Sequence, residues 1–357
     1  MVIIYKDSSA YKPDRNQKLL SFYSSKFELI LKEENNLLQS LGKKTIDYRI
    51  IDYRHPPFGV SDNFEDYDDW KGDYFVARFG HELSDKKYHS KNYDVIYDYY
   101  GENMWPNKQT YYYYDDKVRQ YELLKKYDRH IPSVICNNLD ELLNDVSVGT
   151  VVKSTYGAGG SSCFYIWEKE HLNHIEEYIS NSYNSEKFFP CIIQEYIDYD
   201  WEYIIFSTGD EIYGYKKNIL KKYSSPNSFP YNFPIEGSWD QFKYLKPVDD
   251  GRSWGEPYDP EHIVLDEKEL NPDLIQFILN IKNELNTPNL KFDMINGKVF
   301  EFSYLYPDSM AMIPSSDLLY TVYNSEFNSF GEKERHDLYS WKHLQHRAVL
   351  KHLGIIK

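Results

Sequence analysis

Apolar positions along the chain switch between a spacing of two and a spacing near three and a half, and the switches mark alternating strands and helices. Val2 to Tyr5 is a short apolar run that reads as a first buried strand. Asp14 can cap a helix running toward Leu41, which Gly42 would end. Thr45 to Ile51 alternates as a strand, and Tyr74 to Phe79 and Asp94 to Tyr97 read as two more. The acidic stretch from Ser61 to Asp69 reads as a solvated loop. A helix is expected from Asp115 or Asp116 through Leu123, Leu124 and Tyr127, with Pro132 opening the next element. Asn138 caps a short helix through Leu143. Thr150 to Lys153 and Cys163 to Trp167 read as strands on either side of a glycine-rich loop, with a helix from about Glu168 to Tyr183 after them.

Further on, Ile192 to Ile197 is an apolar run interrupted by Gln194 and Glu195. Tyr203 to Phe206 and Glu211 to Tyr215 make a hairpin across Gly209-Asp210. Asn218 to Pro260 is rich in Pro, Ser, Asn, Tyr and Trp, lacks periodicity and reads as a long loop of the functional or mobile kind. Asn271-Pro272 sets a cap and a first-turn proline for a helix to about Leu285. Leu290 to Phe302 is a second hairpin, and the tail after Ser315 is mainly helical. No internal repeat is present. The alternation is an α/β pattern of open-sheet type in the first hundred residues.

At 357 residues the chain can bury a sizeable core and should divide into two or three domains. A formal charge of −15 argues against broad, non-specific nucleic-acid binding. Cys136, Cys163 and Cys191 are the three cysteines, an odd count without metal-ligand spacing, and read as reduced thiols of a cytoplasmic protein. No apolar run reaches membrane-spanning length, and Met1 to Lys6 is too short for a signal peptide.

The candidate chemistry lies in three places. The first is Val151-Val152-Lys153 followed by Gly157, Gly159, Gly160, Ser161 and Ser162. Glycines let a backbone approach an anion, successive N–H groups can surround phosphate oxygens, and Lys153 adds a point charge. The lysine precedes the glycines and a strand follows them, so neither a P-loop nor a dinucleotide fingerprint fits. A flap between antiparallel strands fits better. The second is Gln194-Glu195-Tyr196-Ile197 with Glu202 beyond it, where backbone groups at a strand end can read an adenine edge and a carboxylate can accept ribose hydroxyls. The third is Lys291-Phe292-Asp293, Asn296-Gly297 and Glu301-Phe302-Ser303. A two-residue Asn296-Gly297 turn pairs Ile295 with Lys298 and puts Asp293 and Glu301 on opposite faces. A three-residue loop with Gly297 as a left-handed bulge residue pairs Met294 with Lys298 and puts Asp293, Glu301 and Ser303 on one face. Two carboxylates on one face need a cation between them, and Mg²⁺ bridging phosphates is the natural one.

In order and spacing these pieces resemble the ATP-grasp superfamily, with carboxylate–amine ligases of the D-alanine–D-alanine ligase type the best-known members. The resemblance covers roughly Asp116 to Pro307. It implies an ATP-grasp fold of the α/β (α+β) class: an N-terminal open-sheet substrate domain at 1–105, a central subdomain carrying the glycine lid at 106–196, and a C-terminal subdomain carrying the metal hairpin at 197–357. It also implies site roles. Lys117 and Lys153 would contact the α- and β-phosphates, and Gly157, Gly159, Gly160, Ser161 and Ser162 would close over them. Glu195, Tyr196 and Ile197 would hold adenine, Glu202 the ribose, and Lys216 or Lys217 a further phosphate. Asp293, Glu301 and Ser303 would ligate Mg²⁺, or Mn²⁺ in its place. Lys291 stands where relatives carry an arginine that stabilises the reacting acyl phosphate, and Ser303 stands where they carry asparagine.

The implied activity is ATP-dependent amide formation through an acyl phosphate. A kinase of the same architecture and a non-catalytic nucleotide-binding protein are the alternatives. Implied partners are small-molecule or peptide carboxylates and amines, possible homodimerisation included, with no nucleic acid and no membrane. Arg78, ending a strand of the first domain, is the residue expected to clamp the substrate carboxylate, and Arg252 in the long loop is a second candidate. His171 and His174, like the C-terminal histidines, read as surface residues.

Overall fold

A computed structural model of the chain describes residues 1–7, 16–53, 70–78, 86–114, 116–155, 163–166, 169–180, 188–197, 199, 201–218, 262–265, 268–304 and 344–357. The acidic stretch Ser61 to Asp69, Arg252 and most of the expected long loop lie outside the described residues.

The N-terminal part is the expected open sheet. Strands β1 (Val2–Asp7), β2 (Tyr48–Tyr53), β3 (Tyr74–Arg78) and β4 (Met104–Trp105) run parallel in the order β2-β1-β3-β4. Strand alternation assigns the faces. Val2, Ile4 and Val76 pack against Phe27, Ile30 and Leu31 of helix α1 (Asn16–Ser40). Ile3, Tyr5, Phe75 and Ala77 pack on the other side against Tyr93, Ile96 and Tyr100 of helix α2 (Lys86–Tyr100). Gly42 ends α1 as expected: its φ is +65°, its N–H donates to Gln39 O at 3.0 Å, and Lys43 N–H donates to Leu38 O at 2.8 Å. That is the paired bonding of a Schellman cap, which needs a left-handed residue at this position.

One expected strand is a helix. Asp94 to Tyr97 lies inside α2, because Tyr93, Ile96 and Tyr100 recur at helical spacing and all three are buried against the sheet. Burial of that stripe outweighs the strand preference of Val95 and Ile96. A helix without an obvious periodic signal, α3 (Lys108–Tyr113), follows β4, capped by Asn107, whose side chain accepts from Thr110 N–H at 2.7 Å. Helix α4 (Lys117–Lys125) begins as expected, with Asp116 accepting from Arg119 N–H at 3.0 Å.

Two antiparallel sheets make up the rest. The first joins β5 (Ser133–Cys136), β6 (Thr150–Ser154), β7 (Cys163–Ile166) and β8 (Cys191–Glu195) in the order β5-β8-β6-β7. Its Val152, Phe164, Ile166 and Ile193 pack on Leu142 of α5 (Leu139–Asp145) and on Ile175 and Ile179 of α6 (Glu170–Ser180) as a separate core. The second joins β9 (Trp201–Thr208), β10 (Glu211–Asn218), β11 (His262–Val264), β12 (Asn289–Ile295) and β13 (Lys298–Ser303) in the order β11-β10-β9-β12-β13. Ile205, Phe292 and Phe302 face Leu274, Phe277, Ile278 and Ile281 of α7 (Pro272–Glu284). Asn271 caps α7 and Pro272 opens it, as the sequence predicts. The tail is described from Leu344, as α8 (Leu344–His352), whose Val349 and Leu350 join this core. By packing, the N-terminal sheet's α1 face, α4 and the second antiparallel sheet share one core.

Helix α4 is joined to β13 through a side chain that acts as a neighbouring strand. Gln120 Nε2 donates to Phe302 O at 2.8 Å, and Gln120 Oε1 accepts from Phe302 N–H at 3.0 Å. β13 is an edge strand, so these two backbone groups would otherwise be buried without a partner. Gln120→Leu should therefore destabilise the fold by about 2 kcal/mol, read as a lowered urea midpoint with an unchanged slope.

Candidate active site

The β12–β13 hairpin decides where the acidic side chains go. The turn is the two-residue one, with Asn296 at φ +47° and Gly297 at φ +76°, and Ile295 pairs with Lys298. The expected three-residue loop pairing Met294 with Lys298 does not occur. The register shifts instead within the strands: Met294 pairs with Val299, and the next pair is Asp293 with Glu301. Phe300 is the extra residue, a bulge that reverses the facing of everything beyond it. Asp293 and Glu301 are thus direct cross-strand partners on one face, with Lys291 opposite Ser303 two positions along.

The same face includes Glu202, which lies opposite Ile295 on one side and opposite Lys217 on the other. The other face carries Ile205, Phe292 and Phe302 into the α7 core, so the acidic row lies on the side facing away from α7. Asp293 and Glu202 are buried, and Glu301 and Ser303 are half-buried. Lys291 Nζ donates to Asp293 Oδ2 at 2.7 Å.

The sheet that leads into the glycine loop supplies the cations. Val152, Phe164 and Ile193 point to the α5–α6 core, so Val151, Lys153, Cys163, Tyr165, Ile192 and Gln194 share the opposite face. Lys153 is half-buried, and its ammonium lies 5.5 Å from the centre of the Phe300 ring, the bulged residue of the hairpin. One bulge therefore turns Glu301 and brings an aromatic ring against Lys153. Burial holds the Lys153 ammonium below its ordinary value, Lys117 adds to the depression, and Cys163 and Glu301 oppose it. Lys117 opens α4, and its N–H donates to Thr155 O at 3.0 Å just past β6, which fixes the start of α4 beside Lys153. Burial pushes the Cys163 thiol up against the pull of both lysines.

Other expected residues are placed differently. Lys216 pairs in register with Tyr203, on the face away from Glu202; its Nζ donates to Glu269 and lies 5.2 Å from the Trp201 ring. It is held away from the acidic row, and of the two lysines only Lys217 is in register with Glu202. Nothing of the Lys217 side chain is described. Glu195 ends β8 exposed, and alternation sets it with Ile193 and Cys191, away from Lys153. Its carboxylate is therefore not on the face that carries Lys153, and the backbone around Ile197 is what the strand end offers there. Tyr196 N–H is already given to Gly149 O at 3.0 Å. Arg78 is the last residue of β3, at the carboxyl edge of the parallel sheet, with its side chain outside the description. Gly157, Gly159, Gly160, Ser161 and Ser162 also lie outside the described residues.

Sequence reasoning missed Phe300 and Tyr165, and took Gln194 only as part of the strand-end run. Tyr165 lies on the Lys153 face with its ring 6.4 Å from that of Tyr196. Gln194, Lys117, Gln120, His130 and Phe300 line a small cleft between α4, β8 and β13, and Gln194 Oε1 is buried there without a hydrogen-bond partner. The alternation of β7 and β8 was the available signal for Tyr165 and Gln194; nothing in the sequence marked the bulge.

The donor set suits a hard cation. Mg²⁺ takes six oxygens and is usually held by one or two carboxylates, with waters and phosphate oxygens completing the shell. Asp293 and Glu301 are such a pair, and the Ser303 hydroxyl is two positions along β13 from Glu301. Mn²⁺ accepts the same ligands. A partly desolvated ammonium in this setting costs stability. Its folded pKa is depressed, so the unfolded chain binds more protons between that depressed value and the ordinary lysine value, and stability rises with pH across that window. Lys153→Met should raise the thermal midpoint at neutral pH and remove that alkaline rise, as followed by circular dichroism melts from neutral to alkaline pH.

No protein-family model and no curated protein matches the sequence. Solved structures do match. The D-alanine–D-alanine ligase of Bacillus anthracis complexed with ATP superposes with a TM-score of 0.52 at 13% identity, over 99% of this chain and 98% of that one. D-cycloserine synthetase DcsG gives a TM-score of 0.52 at 10% identity, over 92% of this chain and 99% of that one. Both alignments run through all three sheets, so the likeness is one of whole architecture, and the chain has the ATP-grasp fold.

Proposed function

We propose that this protein is an ATP- and Mg²⁺-dependent carboxylate–amine ligase that forms an amide through an acyl phosphate, releasing ADP and phosphate. The observation that carries the reading is the cross-strand pair Asp293–Glu301 on the hairpin whose bulged Phe300 lies against Lys153. The fold shared with an ATP-bound ligase supports it.

In this reading a substrate carboxylate attacks the γ-phosphorus of ATP, ADP leaves, and an amine then displaces phosphate from the acyl carbon. Bound between Asp293 and Glu301, Mg²⁺ would supply charge neutralisation on the phosphate oxygens. Lys153 and Lys117 would orient and neutralise the α- and β-phosphates, and their fixed backbone settings mean little reorganisation at the moment of transfer. Glu202 would accept the ribose hydroxyls. The loop from Gly157 to Ser162 would close over the phosphates and keep water from the acyl phosphate.

The substrate carboxylate would bind between the N-terminal sheet and the metal hairpin. Open parallel sheets bind ligands at the carboxyl ends of their strands, where the order reverses, and β1 and β3 meet at such a point with Arg78 closing β3. Among the described residues no helix is long and apolar enough to cross a membrane.

ADP release measured against a panel of carboxylates and amines tests the reading. Release that requires one of each is the expected result; release with a carboxylate alone would indicate a kinase, and ATP binding without release a non-catalytic binder. Lys153→Ala and Glu301→Ala should each lower the rate to roughly a thousandth or less with an unchanged circular dichroism spectrum. Wild-type rates in either variant would remove the site.

A further inference from the structure

The Lys291–Asp293 contact has no part in the reading above, and it faces the cation that the reading requires. We propose that Lys291 is a built-in counter-ion for Asp293, so that the site refuses a free divalent cation and takes one only as a metal–nucleotide complex. This rests on the assignment of Asp293 and Glu301 as metal ligands.

Lys291 and Asp293 are two residues apart on β12, so their side chains leave the same face, and the ammonium donates to Oδ2 at 2.7 Å. Asp293 is buried and Lys291 half-buried, which limits solvent screening of the pair. Lys153 of the neighbouring sheet lies against Phe300, the residue before Glu301, and Lys117 opens α4 beside it. The carboxylates of Asp293, Glu301 and Glu202 are therefore matched by the ammonium groups of Lys291, Lys153 and Lys117 before any ligand arrives. A free cation meets no net negative charge and must displace an ammonium from its partner.

The ligand count points the same way. Among the described residues no group of three or more His, Cys, Asp or Glu side chains could hold a metal ion. Two carboxylates leave most of a six-oxygen shell to be filled from elsewhere. A polyphosphate solves both problems at once. Its oxygens complete the shell, and its negative charge gives Lys291 and Lys153 new partners, which frees Asp293 and Glu301 for the ion. On the metal-free site Lys291 blocks; once the nucleotide is in, the same ammonium is released toward the phosphates.

The test is Mn²⁺ held by the protein in equilibrium dialysis, with and without a non-hydrolysable ATP analogue on both sides of the membrane, so that metal chelated by the analogue in solution cancels. Wild type should take up Mn²⁺ readily only with the analogue. Lys291→Met should bind Mn²⁺ alone at least about tenfold more tightly than wild type, since a cation next to the ligand has been removed. Lys291→Gln keeps a hydrogen-bond donor to Asp293 without the charge; it should show the same gain and covers the case in which the methionine variant does not fold. Lys291→Arg restores the charge and should behave as wild type. Adding Asp293→Asn to Lys291→Met should abolish the gain. If wild type binds the metal–nucleotide complex but the neutral variants show no gain for free Mn²⁺, the counter-ion role is wrong and the functional reading stands. If no variant binds Mn²⁺ even with the analogue, the functional reading fails, and this inference with it.

Discussion

The structure depends on a single unpaired residue in an edge hairpin. A strand's side chains alternate with period two, so one extra residue exchanges the two faces for everything past it. Without the Phe300 bulge, the two-residue Asn296-Gly297 turn would send Glu301 toward α7 and Phe302 toward the acidic side. With it, Phe302 stays in the core and Glu301 comes to lie opposite Asp293. The same residue sets its ring against Lys153 of the neighbouring sheet. The groups that hold the bulged strand in place come from outside the sheet: Gln120 bonds both backbone groups of Phe302, and Arg129 O accepts from Val299 N–H at 2.7 Å.

A second consequence follows from the way the core is divided. The β5-β8-β6-β7 sheet has its own apolar core with α5 and α6, while α4 and the β12–β13 hairpin belong to the larger core shared with the N-terminal sheet. Lys153 and the hairpin carboxylates thus belong to two sheets with separate apolar cores. Separate cores allow relative movement at small cost.

Much of this was legible in the sequence. The caps at Asp116, Asn138, Asn271 and Gly42 carry their own local chemistry, and each ends or begins a helix where the residues predict. The apolar run of β1, the Val151-Val152 pair of β6 and the alternation of β12 were equally plain. What was not legible depended on tertiary context. Asp94 to Tyr97 has strand composition but is helical, because Tyr93, Ile96 and Tyr100 at helical spacing are buried together on one face of the sheet. The facing of Asp293 and Glu301 was anticipated for the wrong local reason: a longer turn was expected, whereas the extra residue sits three positions further on. Lys216 and Glu195 have the right spacing and the wrong face, and only the observed ladders separate them from Lys217 and from the strand-end backbone.

The central claim is that Asp293 and Glu301 together grip one ion that holds a triphosphate beside Lys153. Anomalous diffraction from crystals grown with Mn²⁺ and a non-hydrolysable ATP analogue tests it most directly. The account predicts a single strong peak about 2.1 Å from an oxygen of each carboxylate, with phosphate oxygens in the same shell. A peak remote from the hairpin, or one touching only one of the two carboxylates, would contradict it.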